Sequence, residues 1–412
     1  MSRMKCRHCA TELQHVFLDL GFAPPSNAYL TAAKLRAPET TYPLKLFVCD
    51  ECWLVQTEDY ADAGDLFSSD YAYFSSTSKS WLDHSARYAT MITERLGLSK
   101  ESFVIEVASN DGYLLKNFVE MGIPCLGIEP TQSTADAAEK LGVPVLREFF
   151  GVDTACSLVD KGQTADLICG NNVYAHVPDI NDFTRGLKTA LKKNGTITLE
   201  FPHLMRLIEQ NQFDTVYHEH FSYLSLMAVQ RIFKAAELRI WEVEELQTHG
   251  GSLRIYGCHE NDARPTGESV EKILEREASA GLGDLAIYKS FQSKADKVKD
   301  DFVAFLIEQK RAGKTVAAYG AAAKGNTLLN YGGVKCDLVA FVCDAAPSKQ
   351  EKFMPGSHIP IMKPSALSEL KPDFVVILPW NIAPEVKQQQ KHIKDWGGQF
   401  VTAVPQLTVM QS

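Results

Sequence analysis

The chain's 412 residues exceed what one hydrophobic core organises, so two or three domains are expected. Apolar residues make up 45% and charged residues 23%, the proportions of an ordinary globular protein. A formal net charge of −9 argues against a nucleic-acid partner, whose binding surface would need a basic face. No apolar run approaches the ~20 residues of a membrane span. The segment Met1–Cys6 lacks the apolar stretch of a secretory leader.

Two Cys-x-x-Cys pairs come first, Cys6-Arg7-His8-Cys9 and Cys49-Asp50-Glu51-Cys52. Each turn presents two sulfurs on one side, and two such turns build the tetrahedral shell that Zn²⁺ prefers. Four protein ligands leave no open position, so the expected zinc is structural. The run Tyr42–Val48 reads as a strand filling the gap between the pairs. The other six of the ten cysteines suit a reducing, cytoplasmic compartment better than a disulfide scaffold. The stretch from Asp70 to Thr77, which includes Tyr73, reads as a connector, and an amphipathic helix follows from Trp81 to Leu96.

From Phe103 short apolar runs alternate with helical stretches. Phe103–Ala108, Pro124–Glu129, Ala165–Gly170 and Gly195–Glu200 read as buried strands, with helices over Gly112–Gly122 and Thr131–Leu141. That alternation predicts right-handed βαβ crossovers and a doubly wound parallel sheet, an α/β fold. Leu238–Glu244 and Ser252–His259, joined by Thr248-His249-Gly250-Gly251, predict an antiparallel pair at its end. Long helices over Ser269–Gly281 and Asp284–Ala312 precede a second βα series, with strands at Thr315–Tyr319, Leu338–Cys343, Asp373–Leu378 and Gln399–Ala403. The expected division is a zinc-binding domain over 1–76, a first doubly wound domain over 77–262 and a second, Rossmann-like one over 263–412.

Glu106-Val107-Ala108-Ser109-Asn110-Asp111-Gly112 joins a first strand to its helix, where backbone and helix N-terminus face a ligand. Ala108 and Asn110 stand where a dinucleotide fingerprint has glycine, and Gly112 remains. Glu129 ends the next strand, seventeen residues after Gly112, where a carboxylate can accept from both ribose hydroxyls. Without a phosphate-cradling glycine triplet, an adenosine ligand lacking pyrophosphate fits best, and S-adenosylmethionine is one. Phe149 and Phe150 can cover an adenine or pack in the core.

Tyr217-His218-Glu219-His220 is the densest ionisable run. A histidine there is poised to remove a proton, with a carboxylate to fix its tautomer. A solvated loop is the competing reading. Asn171-Asn172-Val173-Tyr174-Ala175-His176 follows the Ala165–Gly170 strand, and His176 can donate to a developing oxyanion. Gly320-Ala321-Ala322-Ala323-Lys324-Gly325-Asn326 joins a later strand to its helix and reads as an anion seat or a plain tight turn.

Taken in this order, the paired CxxC turns, Ser109-Asn110-Asp111-Gly112, Tyr217-His218-Glu219-His220-Phe221-Ser222-Tyr223 and the Gly320–Gly325 loop resemble the S-adenosylmethionine-dependent C-methyltransferases of nucleotide-linked 4-keto-deoxysugars. The resemblance covers nearly the whole chain; Ala108 departs from the glycine common in that family. It implies a zinc-stabilised N-terminal lobe, a class I methyltransferase core and a C-terminal Rossmann-like domain that binds the nucleotide sugar. It implies His220 as the general base, with Tyr217, Glu219 and His176 positioning the sugar or stabilising an enolate. Glu106, Ala108, Asn110, Gly112, Glu129, Phe150 and Asn171 would then hold the methyl donor. Tyr73, Asn172, His218, Tyr223, Lys324 and Asn326 would face the substrate.

The chemistry fits such an assignment, because carbon becomes nucleophilic only when deprotonated beside a ketone; C3 of a 4-keto-6-deoxysugar is the expected position. The expected protein acts as a monomer or weak homodimer. O- or N-methylation of a sugar or other small molecule remains a rival reading, as does a zinc-organised binding module without catalysis.

Overall fold

The computed structural model describes residues 4–58 and 74–410, so Tyr73 lies outside the described residues. The chain forms two compact units whose segments are not consecutive. The first comprises Met1–Gln14, Cys49–Leu204 and Phe221–Gly283; the second comprises His15–Val48, Met205–His220 and Asp284–Ser412.

The first unit is built on seven strands: β1 (Val104–Val107), β2 (Cys125–Ile128), β3 (Val145–Leu146), β4 (Ala165–Asn171), β5 (Leu191–Pro202), β6 (Leu238–Leu246) and β7 (Ser252–His259). Their order is β6-β7-β5-β4-β1-β2-β3. The contacts among β1 to β5 are parallel, whereas β7 runs antiparallel to both β5 and β6. The expected doubly wound sheet with its antiparallel end is therefore present, with the later hairpin strand, β7, inserted inside the earlier one. All four residues of β1 are buried, as its unbroken Val-Ile-Glu-Val run requires of a central parallel strand. β1 lies between β2 and β4: the chain steps from β1 outward through β2 and β3, then returns to β4 on the other side and steps to β5, so the strand order reverses at β1 and β4, where such sheets open a crevice above the strands' C-terminal ends.

The helix Lys79–Leu96 starts where the Ser78 side chain accepts from the Trp81 N–H, and stops at Gly97 with φ +63°. Its Tyr88, Ala89 and Ile92 pack with Val104, Phe118, Leu167 and Tyr256 in one core. The helix expected from Gly112 begins only at Leu115, because Gly112–Leu114 still belong to the turn after β1.

The second unit carries β8 (Val316–Tyr319), β9 (Val342–Cys343), β10 (Ile361–Met362), β11 (Phe374–Ile377), β12 (Gln399–Thr402) and β13 (Thr408–Met410). Their order is β10-β9-β8-β11-β12-β13, parallel except for β13. The strand expected from Leu338 shrinks to Val342–Cys343, since Leu338 and Val339 turn back to donate to the Lys335 carbonyl at 3.0 and 3.1 Å. The strand Tyr42–Val48 pairs antiparallel with His15–Ala23. Phe17 from that ribbon stacks on Phe291 of the helix Leu285–Arg311 at 4.9 Å, which ties residues far apart in sequence into one core. No helix among the described residues is long and apolar enough to cross a membrane.

Candidate functional site

The four cysteines of the paired turns converge in the first unit. Their sulfurs all lie within 4.8 Å of one another, with Cys6–Cys52 and Cys9–Cys49 at 3.5 Å. Zinc–thiolate bonds of ~2.3 Å in a tetrahedron demand sulfur spacings of this order. Gln56 Nε2 donates to Cys6 Sγ at 3.2 Å, the kind of outer contact that orients a ligand. Cys6, Cys9, Cys49 and Cys52 thus form a closed structural zinc centre.

The loop after β1 alternates left-handed residues: Ala108 has φ +56°, Asn110 +49° and Gly112 +77°. This alternation turns successive N–H groups to one side and forms an anion- or dipole-binding hollow. Gly112 is required twice over, by its φ and by Ala138, whose Cβ a side chain would meet at 3.0 Å. Glu129, at the end of β2, closes the loop by accepting from the Asn110 N–H at 3.0 Å and the Thr131 N–H at 2.9 Å. Each oxygen keeps a further lone pair able to accept another hydrogen bond.

Ser109 Oγ, Asp111 Oδ1 and both amide atoms of Asn171 are buried without hydrogen-bond partners. Such orphans beside a helix start call for a polar ligand. The amino, carboxylate and ribose groups of S-adenosylmethionine match this donor and acceptor set. Glu106 is fully buried, neither of its oxygens has a hydrogen-bond partner, and burial pushes its carboxyl well above the usual range. Phe150 packs edge-on against Phe183 at 5.3 Å, while Phe149 is 57% exposed.

Asn172 has φ +58° and its Nδ2 lies 2.8 Å from His249 Nε2. His176 closes a short turn, Tyr174–His176, whose Ala175 carbonyl accepts from the Phe221 N–H at 2.8 Å. Tyr223 is buried and pairs with Val55.

In the second unit, the run from Tyr217 to His220 is neither a solvated loop nor a strand. It is a buried turn, with His218 8%, Glu219 2% and His220 7% exposed. Because the Thr215 carbonyl, 3.2 Å from His220 Nδ1, can only accept, Nδ1 carries a proton, and in the neutral ring the lone pair is then on Nε2. The His220 ring lies 4.0 Å from that of Tyr217. Asn27 Nδ2 donates to Glu219 at 3.2 Å, yet burial still holds this carboxyl above its ordinary range. His218 Nε2 donates to the Pro43 carbonyl at 3.2 Å, and burial lowers its pKa, which favours the neutral ring.

The helix Ala323–Tyr331 meets the same segment, since Thr327 Oγ1 donates to the Val216 carbonyl at 2.7 Å. Lys324 donates to Asn381 at 3.0 Å and sits over the Trp380 ring. Burial lowers its pKa to about 8 against the pull of Asp214. Asp214 accepts from Trp380 Nε1 at 2.7 Å, and burial raises it to about 6. Asn326 donates to the Ser26 carbonyl at 2.5 Å.

One cluster escaped the motif reading. Glu200, near the C-terminal end of β5, is completely buried and meets His84 at 2.9 Å, Arg254 at 3.0 Å and Thr248 at 2.8 Å. A charged residue inside each of two otherwise apolar runs, Thr196–Phe201 and Leu253–Ile255, was the available signal.

The sheet order, the hollow after β1 and the zinc centre define a class I S-adenosylmethionine-dependent methyltransferase carrying a structural zinc. Residues 6–67 match the model of a zinc binding domain, 81–243 that of a methyltransferase domain, and 247–405 that of the C-methyltransferase C-terminal domain. C-methyltransferase NovU of Streptomyces niveus is 31% identical over 411 residues, 99% of this chain and 97% of that protein. The chain belongs to this C-methyltransferase family. Among solved structures, an S-adenosylmethionine-dependent methyltransferase from Clostridium acetobutylicum superposes with a TM-score of 0.34 at 9% identity, over 42% of this chain and 90% of its own. The glycopeptide N-methyltransferase MtfA gives 0.33 at 12% identity, over 42% and 94%.

Proposed function

We propose that this enzyme methylates the carbon beside the ketone, C3, of a nucleotide-diphosphate-linked 4-keto-6-deoxysugar in the cytoplasm. The observation that carries the reading is the buried turn Tyr217–His220, in which a carbonyl fixes the His220 tautomer with Nε2 as the basic nitrogen. Carbon methylation, unlike O- or N-methylation, needs a base strong enough to remove a C–H proton and donors for the resulting enolate oxygen. His220 Nε2 takes the α-proton, and Tyr217 and His176 donate to the oxygen on which charge develops. Glu219, held above its usual pKa by burial, contributes a hydrogen bond to the sugar. S-adenosylmethionine supplies the electrophilic methyl group.

The test is mass spectrometry of the full-length zinc protein with S-adenosylmethionine and a panel of thymidine- and guanosine-diphosphate-linked 4-keto-6-deoxyhexoses. One substrate should gain a methylene unit, and in D₂O its α-proton should exchange. His220→Asn should lower both rates by roughly 10²–10⁴-fold while the fold is retained. Methyl transfer unchanged in a folded His220→Asn protein overturns the assignment of the base; a gain of methyl on oxygen or nitrogen overturns the reaction.

A further inference from the structure

The cluster around Glu200 lies at the rim of the first unit, beside the crevice above β1. In-register pairing sets Asn171 of β4 next to Glu200 of β5, and Glu200 next to Arg254 of β7. Side chains at paired positions share one face of the sheet, and the helix Lys79–Leu96 covers that face with His84. Arg254 is itself balanced by Glu244 at 3.1 Å, so the Glu200 carboxylate stays ionised despite its burial, through His84, Arg254 and Thr248.

We propose that this assembly is the acceptor-side wall of the methyl-transfer site, and that His84 is a substrate-positioning residue that hydrogen-bonds an oxygen of the acceptor. Three observations carry the inference. The donor-binding groups, the loop Ala108–Gly112 and Glu129, occupy the β1 and β2 side of the crevice. An acceptor that receives the methyl group in line must then approach over β4 and β5, where the cluster stands.

At that same rim Asn172 Oδ1 is buried without a partner, while its Nδ2 lies 2.8 Å from His249 Nε2. With Arg254 Nε also buried and unpartnered, the cluster leaves a donor and an acceptor open, which a polar ligand would complete. Lastly, His84 is held in one orientation: its ring stacks on Trp81 at 5.0 Å, and its Nε2 lies 2.9 Å from Glu200 and 3.2 Å from Arg254 Nη2, the shorter contact being to the carboxylate. A carboxylate that orients an imidazole in this way is the arrangement by which enzymes aim the other ring nitrogen at a substrate.

The identity of the acceptor rests on the keto-sugar reading above; the wall itself does not. The experiment therefore uses whichever acceptor the wild-type protein methylates, beginning with the nucleotide-linked 4-keto-6-deoxyhexoses and continuing with O- and N-acceptors. His84→Ala and His84→Gln are compared with wild type in three measurements: S-adenosylmethionine affinity by calorimetry, acceptor KM and kcat, and acceptor binding to the complex with S-adenosylhomocysteine.

His84→Ala should raise the acceptor KM and weaken acceptor binding by roughly ten-fold, with methyl-donor affinity within about two-fold of wild type. His84→Gln, or added imidazole on the alanine variant, should restore part of the loss. Unchanged acceptor binding in folded His84→Ala overturns the proposal. So does a joint fall in donor affinity and thermal stability that neither glutamine nor imidazole repairs, since the cluster would then only brace the sheet. A wild-type protein that methylates oxygen or nitrogen instead removes the keto-sugar reading and leaves the same measurements to decide His84.

Discussion

In both sheets the chain runs from a central strand through a short loop into a helix, and a carboxylate from the end of the neighbouring strand closes the turn. Glu129 accepts from the N–H groups of Asn110 and Thr131 at 3.0 and 2.9 Å; Asp344 accepts from those of Ala321 and Ala346 at 2.7 and 2.8 Å. What meets the loops differs. After β1, Ser109 Oγ and Asp111 Oδ1 are left without partners.

After β8, the protein's own groups meet the loop, and the unpartnered atom nearby, Asn326 Oδ1, lies in the helix that follows. Pro379 lies against Gly320, and the Ala321 carbonyl accepts from Tyr29 Oη at 2.5 Å and Lys349 Nζ at 2.8 Å. The same clamp is left with open polar atoms in the first sheet, whereas Pro379, Tyr29 and Lys349 pack against its loop in the second. A strand–loop–helix with an acid on the next strand therefore does not by itself mark a nucleotide site.

The comparison is easiest to break at Gly320. Its φ is +92° and a Cβ there would overlap Pro379 Cδ. Gly320→Ala should cost about 2–4 kcal/mol in urea unfolding, combining backbone strain with overpacking, and leave S-adenosylmethionine affinity unchanged. Wild-type stability in this variant would mean that Pro379 yields and that the second loop is not packed shut.

The two carboxylates give the next largest contrast. Glu129→Gln should weaken S-adenosylmethionine binding by about 1.5–3 kcal/mol, the worth of hydrogen bonds to a charged group, as read by calorimetry. Asp344→Asn should cost a similar amount of folding stability and nothing in methyl-donor affinity. Equal losses of donor affinity in both variants would erase the distinction between the loops.

Much of this architecture was legible because it is local. The apolar runs that became β1, β2 and β4 are read from burial on both faces, and the CxxC turns fix their sulfurs within four residues. The burial of the Tyr217–His220 run was not legible in the sequence, because it depends on Asn27, Pro43 and Thr215, which no spacing connects to it. The association of residues 15–48 with the C-terminal sheet was equally hidden, since Phe17 finds Phe291 only in three dimensions. His84, Glu200 and Arg254 come from one helix and two strands, so only the oddity of charges inside apolar strands pointed to them. Asp344, twenty-four residues after Gly320 at the end of β9, follows the dinucleotide fingerprint more closely than the donor loop does, and it is the clamp whose loop the protein's own groups meet.

The smallest effect separates the loops by sign. Ala108 sits at φ +56° without the glycine that this backbone favours, at a cost of roughly 1–2 kcal/mol for an L-residue. Ala108→Gly removes that strain, while the greater freedom of glycine in the unfolded chain takes part of the gain back. The net expectation is a stabilisation of about 0.5–1 kcal/mol in urea unfolding, with methyl-donor affinity held or slightly weakened as the hollow loses rigidity. Glycine thus helps where alanine stands after β1, and alanine harms where glycine stands after β8. A loss of stability in Ala108→Gly would show instead that the alanine methyl group packs in the donor loop, and that this loop, like its counterpart, is braced by contacts of the protein's own.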